Sequence, residues 1–295
     1  MSIAREIKDS FRFGSNLTKL IYINLGVFII FNLIRLFYYI FQIPIENDLA
    51  IYLAVPADIP ALLHRPWTIF TYMFFHQEFL HILFNILWLY WFGIIFLQYL
   101  SNKKLVGVYI MGGLSGAALY ILLFNILGVF REALPIAIAL GASASVLAIV
   151  IAISTLMPNL TINLLFIGPV KLKYLALFSV ILDIISIPVS NPGGHIAHLG
   201  GALFGYLYIV VDKHGVDLVK PITWILDVLS FKPRTKSKLK VNYRSSDIDY
   251  DYNHRKAQQV ANLDIILDKI KKSGYDSLTK EEKETLFKFK DKSVN

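Results

Sequence analysis

"NPGGHIAHLGGALFGYL", Asn191 to Leu207, sets two imidazoles, His195 and His198, three residues apart at the head of a glycine-punctuated apolar run. A water-soluble helix keeps one polar face, whereas from Leu199 to Val211 this segment carries no charge at all, the composition of a helix that crosses hydrocarbon. Working outward, the 295-residue chain is 56% hydrophobic with a mean hydropathy of +0.56, more than a soluble domain needs. Six apolar runs stand out, at roughly 18–42, 80–100, 105–129, 136–156, 168–189 and 195–212. Each approaches the ~20 residues that cross a ~30 Å layer. The expected fold is all-α, a polytopic six-helix membrane bundle.

Charge orients that bundle. Arg5, Lys8, Arg12 and Lys19 flank the start of the first run, Lys103 and Lys104 separate the second and third, Lys171 and Lys173 the fourth and fifth, and Lys213 follows the sixth. The intervening loops hold Glu46, Asp48, Asp58 and Arg65, then Arg131 and Glu132, then no charge between Ile187 and Gly194. Cationic residues alternate with loop number, so the positive-inside rule places both termini in the cytoplasm. The formal charge of +8 is therefore a matter of location rather than of a nucleic-acid surface, and the basic tail lacks the interleaved aromatics of a single-strand binder. The first run is too long, and its flank too lacking in a cleavage site, for a removable signal peptide. The chain has no cysteine, which excludes disulfides, thiolate catalysis and thiolate metal sites.

Four segments follow: 1–17, an N-terminal cytoplasmic stretch; 18–212, the membrane bundle; 213–252, an interfacial helix and basic linker; and 253–295, a small soluble helical hairpin. Between the first two spans, residues 43–79 are apolar but broken by Pro56, Pro60 and Pro66, so they form a loop lying partly in the interface with Trp67 as an anchor. "GVDLVKPITWILDVLSF" after the sixth span suits an interfacial helix, "KPRTKSKLK" a juxtamembrane basic run, and "DIDYDY" a disordered stretch. In the hairpin, Leu263, Ile266, Leu267 and Ile270 recur at helical spacing, Gly274 ends that helix, and Thr279 with Glu282 forms a capping box for the next. Leu286 and Phe287 are placed to close onto the first helix.

Polar residues inside spans are costly and mark functional cavities. The second span begins "HQEFLHILFN", with His81 and Asn85 four apart on one helical face. The fourth holds "GASAS", with Ser143 and Ser145, and the sixth His195 and His198. Counted at 1.5 Å per residue, Asn85 and Ser143 lie roughly 10 Å below their helix starts, with His198 slightly shallower. Gly141, Ala142 and Ala144 thin the fourth span, and Gly201 and Gly205 the sixth, so the two backbones can approach. A hydroxyl and an imidazole brought within ~3 Å form a nucleophile–base pair, and Asn85, His81 and the Ser143 backbone N–H are donors for an oxyanion. No carboxylate is placed to orient His198; Asp183, the only acid well inside a span, is assigned a structural role, leaving a Ser–His dyad.

At "HQEFLHILFN", "GASA" and "AHLGGALFG", in that order on spans two, four and six, the sequence resembles the rhomboid family of intramembrane serine proteases. The resemblance covers roughly 18–212. It implies that Ser143 is the nucleophile and His198 the base, that Asn85 and His81 stabilise the oxyanion, and that Gly141, Gly201 and Gly205 support close backbone packing. It further implies substrates that are transmembrane proteins cut near the outer face, no metal, no organic cofactor, and residence in the lipid bilayer of a bacterial inner membrane, with the site opening outward. Ser145 and His195 are the rival nucleophile and base; Ser145 lacks a glycine two residues before it, and His195 and His76 are read as cavity-mouth or loop residues. Departures are Thr68 after Trp67, Leu147 four residues after Ser143, and Gln98 where an acid is common. The competing functions are a silent rhomboid-like scaffold binding membrane clients, and a metal site built on His76, His81, His195 and His198, which no His-Glu-x-x-His motif supports. Nothing in the sequence specifies an oligomeric state.

Overall fold

The computed structural model describes residues 3–43, 49–164, 168–229 and 262–292. These divide into two compact units, one up to Phe231 and one from Lys232. Among the described residues of the first unit, four helices are long and apolar enough to cross a membrane: α2 (Asn16–Ile40), α5 (Phe79–Tyr99), α6 (Asn102–Ile126) and α9 (Pro192–Asp212). The remaining helices are α1 (Ile3–Phe13), α3 (Ile59–His64), α4 (Thr68–Thr71), α7 (Ser143–Leu156), α8 (Leu172–Ser186) and α10 (Lys220–Leu229). The chain is an all-α polytopic membrane protein.

Helix α7 lies at the centre. Every residue from Ala144 to Ser154 is buried, which is why the sequence there is apolar all round, Ser145 and Ser154 excepted. It packs on α6 and α9, and those two pack on each other, so three helices form the core. Small residues make this possible. A β-carbon on Gly112 would sit 2.3 Å from Ala148 Cβ, one on Gly116 2.7 Å from Ala144 Cβ, and one on Gly200 2.6 Å from the Ser115 carbonyl oxygen. Without a hydrophobic drive between helices in lipid, such backbone approach is what holds them together.

Helices α2 and α5 pack on each other at the flank, and Asn24 of α2 donates to the Tyr109 hydroxyl of α6 (3.1 Å), which in turn donates to the Met73 carbonyl (2.7 Å). Helix α8 lies against α7 and α9, leaving Tyr174, Leu177, Phe178, Ile181 and Ile185 exposed. At the α6 N-terminal end, Lys104 pairs with Asp212 (3.0 Å) and Lys103 with Asp227, while Val219 fills the space over Gly107.

Two expected spans change. The fourth was expected over 136–156, but its first residues are extended: β2 (Ile138–Ala139) pairs antiparallel with β1 (Val55–Pro56), and the helix starts at Ser143. The fifth was expected over 168–189, yet β4 (Gly168–Lys171) pairs with β3 (Thr161–Leu164) and the helix occupies only Leu172–Ser186. Apolar composition marked both segments, while pairing in short ribbons removed their ends from the helices. The loop before α5, expected to lie partly in the interface with Trp67 as an anchor, turns part of its apolar surface inward while Trp67 stays half exposed. Ala50, Ala54, Val55, Ala57, Met73 and Phe75 are fully buried, and Arg65, Trp67 and Thr71 donate to the carbonyls of Ile51, Tyr52 and Leu53. The Tyr72 hydroxyl ties the loop to α6 by donating to the Gly113 carbonyl at 2.5 Å.

The second unit holds α11 (262–273) and α12 (Lys280–Lys292). Gly274, with φ +78°, ends α11. Thr279 and Glu282 cap α12 reciprocally, the Thr279 N–H donating to Glu282 (2.7 Å) and the Glu282 N–H to Thr279 Oγ1 (3.3 Å). Lys269 also binds the Glu282 carboxylate (2.8 Å). Ile266 and Leu278 are buried and Leu286 half-buried. The expected disordered stretch at 247–252, the basic run at 232–240 and the Phe287 side chain lie outside the described residues.

Candidate active site

The N-terminus of α7 decides the geometry of the site. The chain before it approaches in extended conformation and turns at Gly141, whose φ of +115° is a conformation side chains rarely adopt. A β-carbon there would also lie 2.7 Å from the His81 ring. Two hydrogen bonds fix the turn: the Gly141 N–H donates to the Tyr72 carbonyl (2.9 Å) and the Ala142 N–H to His76 Nε2 (3.2 Å). Ala142, the residue preceding the helix, provides no side-chain cap. The first amides of α7, Ser143 among them, therefore face the site with no acceptor from their own helix.

Helix α9 supplies the base. Its start is sharp: Asn191 sits at φ +44°, accepts from the Gly194 N–H (3.1 Å), and is followed by Pro192 at the first helical position. One turn in, His195 and His198 share a face, their rings 5.7 Å apart and nearly perpendicular. His198 Nε2 lies 2.5 Å from Ser143 Oγ. The approach of helices α7 and α9 sets that distance, because a β-carbon on Gly201 would sit 2.1 Å from the Ala144 carbonyl oxygen, and one on Gly205 2.3 Å from that of Ala148. Ser143 and His198 are each partly exposed, while Gly141, Ala142 and Ala144 around the serine are buried.

Asp183 contributes more than the sequence indicated. Its side chain projects from α8 so that Oδ1 meets both His198 Nδ1 and His195 Nδ1, each at 2.8 Å. A carboxylate only accepts, so both Nδ1 atoms carry the proton and His198 Nε2 is left as an acceptor for the Ser143 hydroxyl. Two readings are corrected. A carboxylate does stand behind His198, and His195 is its second donor rather than a loop residue. Twelve or more residues and a change of helix separate Asp183 from the histidines, so no local spacing linked them. The available signal was the lone acid in an apolar span.

His76 is a loop residue, one of the two readings given it, but it is fully buried and holds the Ala142 amide. Burial, reinforced by the neighbouring His81 ring 5.0 Å away, holds its pKa down to about 3. Asn85 is buried and spends one amide hydrogen on the His81 carbonyl (2.9 Å), leaving the other to donate. Ser145 is fully buried, and its hydroxyl makes no hydrogen bond among the described residues. The Asp183, His195 and His198 ligand atoms lie within 4.8 Å of one another, near enough for a cation to bridge. Each Nδ1 already meets Oδ1 at 2.8 Å, shorter than the roughly 3.3 Å between ligands of a tetrahedral zinc ion with ~2.0 Å bonds, so hydrogen bonding accounts for the cluster.

Two family models match parts of the chain. A model described as a family of unknown function (DUF6576) matches residues 246–290. No curated protein matches the chain. The Rhomboid domain model matches residues 63–214, a span that takes in α5 to α9 with Ser143, Asp183 and His198. That match covers just over half of the chain, and the protein belongs to the rhomboid family.

Proposed function

We propose that the protein is an intramembrane serine endopeptidase that hydrolyses peptide bonds in or beside the transmembrane segments of other membrane proteins. The observation that carries this is the 2.5 Å contact between Ser143 Oγ and His198 Nε2, with the imidazole held in the tautomer that can accept a proton. Ser143 Oγ attacks the scissile carbonyl carbon while its proton passes to His198 Nε2. The carbonyl electrons move onto oxygen, and the free Asn85 N–H, the His81 ring and the Ser143 backbone N–H are the donors available to that oxyanion. The positive end of α7 points the same way. Collapse returns the proton from His198 to the leaving amine. Water, deprotonated by the same nitrogen, then attacks the acyl carbon, and the departing Ser143 Oγ takes that proton back from His198.

The charge pattern supports an orientation with both termini cytoplasmic, and the family resemblance a bacterial inner membrane. With six crossings, the α7 N-terminus and the α9 N-terminus then point toward its outer face. Helices α7 and α8, of 14 and 15 residues, are then short crossings whose outer ends stop beneath the surface. A substrate helix must unwind locally to present a carbonyl there, since a helical carbonyl is already hydrogen-bonded.

The test is cleavage of a reconstituted single-pass substrate by wild type, Ser143→Ala and His198→Ala, with the cut mapped by mass. Wild type cuts within or next to the hydrophobic segment and labels with a fluorophosphonate at Ser143. Each variant loses about 10³-fold or more in kcat. Undiminished cleavage by folded Ser143→Ala would refute the assignment.

A further inference from the structure

We propose that Asp183 is a positioning residue for the reaction, so that the pair Ser143–His198 works in this chain as a three-member array, with His195 as a brace on the carboxylate. The proposal rests on the proteolytic reading of Ser143 and His198. Three observations carry it. First, Asp183 is 7% exposed, and a buried acid in a membrane span is expensive unless its partners compensate it. Second, the partners are specific: both hydrogen bonds fall on one oxygen, Oδ1, and both come from Nδ1 atoms. Third, the geometry is in line, carboxylate to His198 Nδ1 at 2.8 Å and His198 Nε2 to Ser143 Oγ at 2.5 Å.

Each contact has a chemical consequence. Nδ1–H donation fixes the tautomer, so the lone pair sits on Nε2, the nitrogen that faces the serine. When Nε2 takes the Ser143 proton, the imidazolium stands against a carboxylate already in place; the Nδ1 proton stays on His198 and Asp183 stays ionised. His195 matters because a carboxylate on a rotatable side chain can swing away. A second donor on the same oxygen, from a residue one turn earlier on the same helix, holds Oδ1 where His198 needs it. Imidazole alone would be free to present either nitrogen to the serine.

The side chains that meet His198 among the described residues are Ser143 from α7, Asp183 from α8 and His195 from α9 itself. Without the carboxylate, the imidazolium formed when Nε2 takes the serine proton has no counter-charge against Nδ1.

The experiment uses the full chain in lipid nanodiscs with wild type, Asp183→Asn, Asp183→Glu and His195→Gln. Two readouts are taken: kcat and KM on a single-pass substrate, normalised to folded protein, and the Nδ1–H signals of ¹⁵N-histidine-labelled protein by NMR. Asp183→Asn is expected to lower kcat about 10²-fold with KM unchanged, and to abolish the low-field Nδ1–H signals. Asp183→Glu restores part of kcat, and His195→Gln costs about tenfold while leaving the His198 signal. A folded Asp183→Asn with wild-type kcat overturns the proposal. So does a merely structural result, in which the acid's loss lowers thermal stability while kcat per folded molecule stands still. If Asp183→Asn fails to fold, the glutamate variant and the wild-type spectrum decide. A wild type that cleaves nothing but shows both low-field signals counts against the protease reading and leaves the hydrogen-bonded array standing; their absence from wild type overturns the array itself.

Discussion

Gly201→Ala is the sharpest perturbation of the site that touches neither reacting residue. The added β-carbon would lie 2.1 Å from the Ala144 carbonyl oxygen, 2.7 Å from its carbonyl carbon and 3.0 Å from its Cα. All three are backbone atoms, so no side-chain rotation can relieve the clash. Opening the first contact from 2.1 to 3.4 Å separates α7 from α9 by about 1.3 Å. Ser143 precedes Ala144, and His198 sits just under one turn before Gly201 on the same helix, so the separation passes almost directly to the reacting pair. The Ser143–His198 distance grows from 2.5 Å to about 3.8 Å, beyond any hydrogen bond. Misplacement of about 1 Å costs on the order of 10²-fold in rate.

The assay compares kcat/KM and the rate of fluorophosphonate labelling in Gly201→Ala with those of Gly26→Ala, where the new β-carbon meets nothing within 4 Å. Gly26→Ala keeps wild-type rates and gains up to about 1 kcal/mol of helix propensity. Gly201→Ala falls about 10²-fold in both rates. A folded Gly201→Ala that labels within about threefold of wild type would show that this contact does not set the spacing of the pair, and the packing argument would fall with it.

Three further outcomes follow from the same coordinates. Ser145→Ala removes a buried hydroxyl that makes no hydrogen bond among the described residues, so cleavage is unchanged and thermal stability holds or rises by up to about 1 kcal/mol; lost cleavage would restore Ser145 as the nucleophile. Gly141→Ala forces a side chain into φ +115° against the His81 ring and is expected to cost about 1–3 kcal/mol, read as a lower melting temperature, together with slower labelling of Ser143. His76, held neutral by burial with its pKa down to about 3, contributes stability that is fully present above the ordinary histidine value of ~6.5 and is lost as pH falls toward 3, because the unfolded chain takes up a proton that the fold refuses. Wild type should therefore lose up to about 1.4 kcal/mol per pH unit over part of that window, a slope that flattens in His76→Asn; equal slopes would remove His76 from the account.

What the sequence carried and what it hid divide along a physical line. The long spans were legible because hydrocarbon thickness imposes a length that composition alone can meet, and α2, α5, α6 and α9 begin within three residues of their expected starts. Positions 136–142 and 168–171 were read as helix because their apolar character is the same in a ribbon as in a span, and only pairing with a distant strand separates the two. At the site, Ser143, His198, Asn85 and His81 each carried a local pattern of spacing or of adjacent glycine. Asp183 and His76 did not. Each acts across a helix boundary, on a ring nitrogen or on a backbone amide, and a hydrogen bond between residues on different elements leaves no period in the sequence. The glycines of α6 were overlooked for the same reason: Gly112 and Gly116 matter only because Ala148 and Ala144 stand opposite.

The shortness of α7 sets the depth of Ser143 in the proposed membrane frame. Fourteen residues rise about 21 Å, against a hydrocarbon layer of ~30 Å. If its far end reaches the inner boundary, Ser143 stops about 9 Å below the outer one, close to the depth inferred from counting along a longer helix, though for a different reason. The gap above it cannot be closed by more helix, because residues 138–142 are extended and turned. Their backbone groups must find partners that lipid cannot offer, and they do so: Ile138 and Ala139 pair with Pro56 and Val55 in the short ribbon, the Gly141 N–H donates to the Tyr72 carbonyl and the Ala142 N–H to His76 Nε2. The loop before α5 thus supplies the partners that let the chain break its helix ahead of Ser143. A substitution that lets 136–142 continue as helix would carry Ser143 no deeper but would bury it, abolishing labelling while leaving the Ser143–His198 distance intact.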